Sequence, residues 1–196
     1  MSLVTTDSNG NTPLSPEEIQ GLIPSLSTKQ ELNEWEWENI LSAREWATAT
    51  RMTIPELVSD SYVRKLHFRM FDQTWKWAGQ YRKSEKNIGI PCQQIRESPA
   101  VLCGDVLFWI EKQIYPPDEI AVRFHYRLVA IHPFPNGNGR HARLMADLLL
   151  SNLGHTPLTW GAKDLIKRGE ARTQYLDALR EADAGKMQPL LEFARS

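Results

Sequence analysis

The feature that most constrains the fold of this chain is a short polar connection between two stretches that have the apolar periodicity of helices. Apolar residues recur at helical spacing from Pro117 to Ile131, and again from about Gly139 to Leu153. The sequence His132-Pro-Phe-Pro-Asn-Gly-Asn-Gly joins them. Glycine adopts left-handed backbone conformations freely, and the first N–H groups of a helix have no partner within it. The stretch therefore predicts a helix, a tight loop and a second helix whose start can bind an anion.

The charged residues beside this loop suit phosphate chemistry. Arg140 and Arg143 are three positions apart and so share one face of the second helix, where guanidinium groups can bind phosphate oxygens. His132 ends the first helix and can accept a proton from a hydroxyl group near neutral pH. Each feature alone has an ordinary structural explanation, as a connection, a solvated face or a packed polar side chain. Their occurrence within residues 132–143 favours a nucleotide-phosphate site.

The remainder of the chain predicts a mostly α-helical domain. A capping box formed by Thr28 and Glu31, a cap at Asp60 and several proline residues mark helix starts. The predicted helices cover residues 28–50, 61–71, 98–114, 117–131, 139–153, 169–184 and 187–194, with one further turn within 15–24. Between residues 75 and 97, glycine, proline and β-branched residues predict a short β-hairpin instead.

Composition and charge exclude several classes of protein. The net charge of −1 gives no reason to expect direct nucleic-acid binding, and no apolar run approaches the ~18 residues of a membrane-spanning helix. Residues 1–14 are polar and are expected to form a loose tail rather than a secretory signal. Cys92 and Cys103 are too few for a disulfide framework, which favours a reducing cytoplasmic location.

Residues 132–143 resemble the signature of the Fic family, H-x-F-x-D/E-G-N-G-R-x-x-R. Every defining position matches except one, where Asn136 replaces the acidic residue. The resemblance covers roughly residues 60–195, and the chain is similar to the Fic proteins found beside mobile elements, the mobile mystery protein B group. It implies an all-α Fic-type helical fold with a small β-hairpin flap. The expected organisation is a tail and turn over 1–27, an N-terminal helix over 28–59 that is a possible inhibitory segment, and the catalytic core over 60–196.

The resemblance also implies a reaction, the transfer of AMP from ATP, with Mg²⁺, to a Ser, Thr or Tyr hydroxyl of a target protein. By position, His132 corresponds to the general base, Phe134 to the buried anchor of the loop and Asn136 to the metal ligand. The residues that correspond to the phosphate-binding set are Gly137, Asn138, Gly139, Arg140 and Arg143. The hairpin corresponds to a flap that docks the target by adding a strand, and it contains Lys86, Asn87, Ile88, Gly89 and Ile90.

Many members of the family carry an inhibitory helix with the pattern S/T-x-x-x-E-G/N. Its glutamate pairs with the second motif arginine, which here is Arg143. The helix predicted over 28–50 contains two incomplete matches: Glu38, which Asn39 follows, and Glu31, which lies four residues after a serine. Glu38 is the first candidate and Glu31 the second, while both also suit the solvated face of an amphipathic helix.

The departure at Asn136 leaves other functions open. A neutral amide is a weaker ligand for Mg²⁺ than a carboxylate, so the chain can also be interpreted as a catalytically weak interaction protein, such as one half of a toxin–antitoxin pair. A kinase-like transfer of the γ-phosphate, as in Doc-type relatives, is disfavoured because those relatives have Lys where this chain has Gly139. An antitoxin or regulatory partner and self-association into a homo-oligomer are both compatible with the resemblance, and no membrane is expected.

Overall fold

A computed structural model describes residues 14–161 and 168–196, and most of this part of the chain is helical. The helices are α1 (Pro16–Ile19), α2 (Lys29–Ala49), α3 (Ile54–Leu57), α4 (Asp60–Phe71), α5 (Ser98–Glu111), α6 (Pro117–Ile131), α7 (Asn138–Asn152), α8 (Arg168–Asp183) and α9 (Gln188–Arg195), with a short 3-10 turn at Cys92–Gln94. The all-α prediction is confirmed. Most of the tail predicted over 1–14 lies outside the described residues.

The helices α6 and α7 form the centre of the domain and pack along each other. On one side α4 and α5 complete the larger apolar core, to which buried side chains of α2 to α7 contribute, among them Leu66, Leu102, Phe124 and Met145. On the other side α8 and α9 cover a smaller core around Val122, Ala146, Leu150 and Leu190. Because both helices that flank the α6–α7 loop lie at the packed centre of the domain, both ends of this loop are fixed in position.

The long helix α2 packs on α4 through a stripe of mostly small and polar residues. The buried positions are Glu36, Asn39, Ala43 and Ala47, which share one face at helical spacing. Asn39 fixes the contact, because its amide donates to the Arg69 carbonyl at 3.1 Å and its oxygen accepts from the Gln73 N–H at 3.1 Å. The larger apolar residues Trp37 and Leu41 are exposed instead.

Two local predictions need correction around α3 and α4. Ser59, and not Asp60, caps α4, because the Ser59 hydroxyl accepts from the Tyr62 N–H at 3.2 Å. Asp60 instead accepts a 2.5 Å hydrogen bond from the Tyr81 hydroxyl. The one-turn helix α3 was not predicted, although Thr53 forms a capping box at its start.

The predicted β-hairpin is not formed, since residues 75–97 contain no paired strands. The physical reason is Arg82, whose buried guanidinium donates to the carbonyl groups of Ser84 at 2.8 Å, Ile90 at 2.5 Å and His132 at 2.7 Å. In addition, the Arg82 N–H donates to the Pro133 carbonyl at 2.9 Å. The segment 82–90 is thus an irregular loop, called the flap loop below. The Arg82 side chain links carbonyl groups within this loop, and the loop also hydrogen-bonds to His132 and Pro133 in the α6–α7 connection.

In the described part of the chain, no helix has the length and apolar character needed to cross a membrane.

Candidate active site

His132 lies where α6 ends, in a left-handed conformation with φ of 53°. Its N–H closes the last turn of α6 by donating to the Leu128 carbonyl at 3.0 Å. Its own carbonyl accepts from the Arg82 side chain, so the backbone of His132 is held on both sides. His132 is buried, with 6% of its surface exposed.

The imidazole of His132 is neutral at physiological pH. Burial, together with the smaller effects of the positive charges of Arg82 and Lys86, lowers its pKa to about 4. A neutral imidazole has a lone pair available for a proton. The predicted general base is therefore in the protonation state that the role requires.

Phe134 is the anchor of the connection between α6 and α7. The ring is fully buried and stacks on the His67 ring, with centroids 3.7 Å apart. The buried side chain of Asn138 accepts from the Phe134 N–H at 2.9 Å and donates to the Phe134 carbonyl at 2.8 Å. Because the Asn138 side chain is used inside the loop, only its backbone can contribute to an anion site.

Gly137 is required by its conformation and by its surroundings. Its φ is +79°, and a Cβ atom at this position would lie 2.4 Å from the Phe71 ring. Its N–H donates to the Asn136 side-chain oxygen at 2.5 Å. Helix α7 begins directly afterwards, and no side chain in the described residues caps its start. The N–H groups of its first turn, including that of Gly139, form the predicted anion-binding end.

Arg143 is partly buried beside this helix start. Its guanidinium carbon lies 5.3 Å from the centre of the Tyr175 ring, and the described residues provide no salt-bridge partner for it. Burial lowers the pKa of Arg143, but an arginine stays charged in proteins. A positive charge that is removed from water without a carboxylate in salt-bridge contact favours binding of an anion.

Tyr175 on α8 closes one side of the same site and was not predicted. Its hydroxyl is hydrogen-bonded to the buried ring of His125 at 3.0 Å. The hydroxyl also lies 3.7 Å from the point where a Cβ atom on Gly139 would be. No local sequence signal marks this role, because α8 is far from the motif along the chain.

Arg140, the other motif arginine, is paired with a glutamate of α2. Glu36 is 5% exposed, and its carboxylate accepts from Arg140 at 2.8 Å and from the Trp75 indole N–H at 2.8 Å. The predicted candidates lie elsewhere: Glu38 is exposed, and Glu31 caps α2 through the Ser27 and Thr28 N–H groups. A helix of 3.6 residues per turn directs residues 36 and 38 to nearly opposite faces. The structure thus brings Glu36 to Arg140, and not Glu38 or Glu31 to Arg143.

The flap loop reaches His132 through Gly89. A Cβ atom at Gly89, whose φ is +99°, would lie 2.6 Å from the His132 Cβ atom. Asn87, Ile88 and Gly89 are exposed. The side chain of Lys86, by contrast, is only 4% exposed and pairs with Glu18 of α1 at 2.5 Å. Among the predicted flap residues, Asn87, Ile88 and Gly89 therefore form the exposed edge of the loop, whereas Lys86 anchors the loop to α1.

The described residues contain no group of three or more His, Cys, Asp or Glu side chains that is able to hold a metal ion. Asn136 is the residue at the motif's metal position, and its oxygen faces the Gly137 N–H. A donor set of one amide fits a Mg²⁺ ion that is carried mainly by nucleotide phosphates, which is how Mg²⁺ commonly binds in nucleotide sites.

The buried histidines predict that the folded protein is sensitive to acid. Burial lowers the pKa to about 3 for His125 and to about 4 for His132 and His141, and well below the usual value for His67. Below the unfolded value of about 6.5, the unfolded chain binds protons that the native state does not, so stability present above that pH decreases on acidification. Each histidine contributes ~1.4 kcal/mol per pH unit in this window.

Urea unfolding at pH 7.5, 6 and 5 measures this effect, and we expect the free energy of unfolding to fall by several kcal/mol below pH 6.5. His125→Gln should make the slope shallower. His155→Gln, a change at an exposed histidine, is the matched control. A free energy of unfolding that stays constant from pH 7 to pH 5 would contradict the prediction.

The fold and the site define a helical domain in which a glycine-containing loop joins two central helices and leads into an uncapped helix start. Residues 57–150 match the family model described as Fic/DOC family, so this segment of the chain is a domain of that family. Curated relatives include "Protein adenylyltransferase Fic" of Nematostella vectensis, 28% identical over 155 residues, or 77% of this chain and 35% of that protein. "Protein adenylyltransferase fic-1" of Caenorhabditis elegans is 33% identical over 119 residues, or 59% of this chain and 22% of that protein. The chain thus spans about a third or less of the length of these relatives.

Solved structures of Fic proteins share the fold. "Fic-1 (aa134 - 508) from C. elegans" superposes with a TM-score of 0.65 at 23% identity, covering 91% of this chain and 52% of that one. The BepC effector protein from Bartonella tribocorum, solved with bound AMPPNP, gives a TM-score of 0.67 at 19% identity, covering 92% and 97%. At these identities the likeness is one of fold.

Proposed function

We propose that this chain transfers AMP from ATP to a Ser, Thr or Tyr hydroxyl of a target protein. The observation that carries the proposal is Arg143, a partly buried cation with no salt-bridge partner in the described residues, beside the uncapped start of α7. This arrangement suits a polyphosphate. The names of the curated relatives, protein adenylyltransferases, support the choice of reaction.

In the proposed reaction, neutral His132 accepts the proton of the target hydroxyl as its oxygen attacks the α-phosphorus of ATP. The bond from the α-phosphorus to the bridging oxygen breaks, and pyrophosphate leaves. The helix start and Arg143 neutralise the phosphate charge, which is the main requirement of such a transfer. The negative charge of the bound ATP also raises the affinity of His132 for the proton of the target hydroxyl.

The exposed edge of the flap loop is the proposed docking place for the target. Asn87, Ile88 and Gly89 are exposed, and Gly89 contacts His132, so an extended segment bound along this edge would present its hydroxyl near the base. The docking is proposed without a preformed hairpin, since Arg82 already holds the loop in place.

Mg²⁺ is proposed to bind through Asn136 together with the nucleotide phosphates, and when bound it would neutralise phosphate charge. We predict that Asn136→Asp lowers the Mg²⁺ concentration for half-maximal activity by about tenfold, the effect of ~1.4 kcal/mol. An aspartate can still accept the Gly137 N–H, so the loop should keep its shape. Activity titrated with Mg²⁺ measures this, with Asn136→Ala as the control. An aspartate variant that needs as much Mg²⁺ as the natural chain would refute this ligand assignment.

The proposed function is tested by incubating the chain, Mg²⁺ and candidate protein substrates with α-labelled or γ-labelled ATP. Label from the α position alone supports AMP transfer, and label from the γ position alone would show kinase-like transfer. No label from either, also with the Glu36 contact removed, would favour an interaction protein that pairs with an antitoxin or regulatory partner. A cytoplasmic location and a homo-oligomer stay predictions.

We further propose that α2 is auto-inhibitory and that Glu36 is the inhibitory glutamate. Its carboxylate occupies Arg140 and places a negative charge at the proposed triphosphate site. Nucleotide phosphates would have to displace it.

A further inference from the structure

We infer that His67, which lies outside the motif on α4, is a positioning residue that holds the Asn136 backbone in place for the reaction. The inference rests on the proposed function. It concerns a buried histidine that the mechanism above does not use and that lies 69 positions from the residue it contacts.

The hydrogen bonds of His67 allow only one arrangement. Its Nδ1 accepts from the Gly79 N–H at 3.0 Å, and its Nε2 lies 3.0 Å from the Asn136 carbonyl oxygen. An N–H group can only donate and a carbonyl can only accept, so the proton is on Nε2 and the ring is neutral. The neutral ring thus links two backbone segments, each by one bond with a fixed direction.

The Gly79 end of this link cannot easily move. The Gly79 carbonyl accepts from the Arg64 side chain at 3.1 Å. Its φ of +72° brings the backbone so close to α4 that a Cβ atom would lie 2.8 Å from the Phe68 Cβ. The Nδ1 contact therefore fixes the orientation of the His67 ring, and the ring in turn fixes the position of the Asn136 carbonyl group.

The same ring also supports the other end of the loop. It stacks on Phe134 with an angle of 17° between the planes and a centroid distance of 3.7 Å. His67 thus contacts the loop both at its anchor, Phe134, and at the proposed metal position, Asn136. Displacing the ring would move the side-chain oxygen of Asn136 and the Gly137 N–H that donates to it. Arg143, on α7, would stay in place.

Two substitutions separate the positioning role from simple core packing. In His67→Asn the side-chain oxygen overlies Nδ1 and can still accept from Gly79, but nothing reaches Asn136. In His67→Gln the amide nitrogen overlies Nε2 and can still donate to the Asn136 carbonyl. Both variants remove the ring, so both lose the stacking on Phe134. They differ only in which bond remains.

We expect His67→Asn to lower kcat by about ten- to a hundredfold, the effect of an ångström-scale misplacement, and to raise the Mg²⁺ requirement. His67→Gln should keep most of the rate. AMPPNP affinity without Mg²⁺ should change little in either variant. Val106→Ala, in the core on α5, controls for lost stability and should leave the Mg²⁺ requirement unchanged. Equal losses in the Asn and Gln variants, or an unchanged Mg²⁺ requirement in His67→Asn, would overturn the inference.

A readout that does not need activity separates this inference from the proposed function. Amide hydrogen exchange at Gly137 and Asn138 should be faster in His67→Asn than in His67→Gln. If the natural chain transfers no AMP but this difference is seen, the proposed reaction fails and the positioning role stands. If transfer is seen without any difference in exchange or in Mg²⁺ requirement, the positioning role fails.

Discussion

Replacing Glu36 is expected to raise AMP transfer by about ten- to a hundredfold. A hydrogen bond to a charged group is worth ~1.5–3 kcal/mol, and each 1.4 kcal/mol corresponds to a factor of about ten in binding. In the natural chain the Glu36 carboxylate lies 2.8 Å from the Arg140 guanidinium, and the Glu36 side chain is only 6% exposed. The nucleotide must therefore displace this contact. Transfer from α-labelled ATP and calorimetric AMPPNP binding measure the gain.

The choice of substitution matters because Glu36 also accepts from the Trp75 indole. Glu36→Gly would remove the charge but would leave a buried N–H unpaired and place glycine inside a helix, costing ~2–3 kcal/mol of stability. Glu36→Gln removes the charge and can still accept from Trp75. Glu38→Gln, an exposed neighbour, is the matched control and should have no effect. If the Glu36 variants gain neither affinity nor rate, α2 does not inhibit.

Replacing His132 is expected to lower AMP transfer by about 10²- to 10⁴-fold, the usual contribution of a general base. Nucleotide affinity should be nearly unchanged, because Arg143 and the start of α7 are untouched. Asparagine is the better substitute, since it tolerates the left-handed φ of 53° more readily than alanine does. His132→Asn should therefore fold like the natural chain.

The measurement compares kcat and AMPPNP affinity of His132→Asn in the Glu36→Gln background, where transfer is not limited by inhibition. A thermal unfolding midpoint close to that of the parent confirms that the fold is intact. A variant that still transfers AMP at the parental rate would show that another group accepts the proton. A large loss of nucleotide affinity would instead assign His132 to binding.

The local part of this architecture was predictable from the sequence. Apolar periodicity placed most helices within a few residues, and the glycines after Asn136 predicted the turn into α7. The contacts between segments that are far apart in the sequence were not predictable. His67 and Asn136 meet only because α4 packs against the motif loop, and Arg82 prevents the hairpin by binding carbonyls on both sides of the flap loop.

Glu36 shows why a motif search alone missed a site residue. The inhibitory pattern has a serine or threonine four positions before the glutamate and a glycine or asparagine after it. Its incomplete matches directed attention to Glu31, which has the serine, and to Glu38, which has the asparagine. The better signal was the register of α2: residue 36 shares a helical face with Asn39 and Ala43, small and uncharged side chains that suit a close helix contact. A charged residue on such a face is buried, and a buried charge needs a partner.

The indole of Trp75 gives the contact between Glu36 and Arg140 an optical signal. Trp75 stacks on Trp77 with centroids 4.9 Å apart and donates its N–H to the Glu36 carboxylate. Indole fluorescence depends on the charge and polarity around its N–H group, so displacement of Glu36 would change the emission of this pair. Occupation of the site by nucleotide can then be followed in real time in unlabelled protein, with Trp75→Phe identifying the source of the signal.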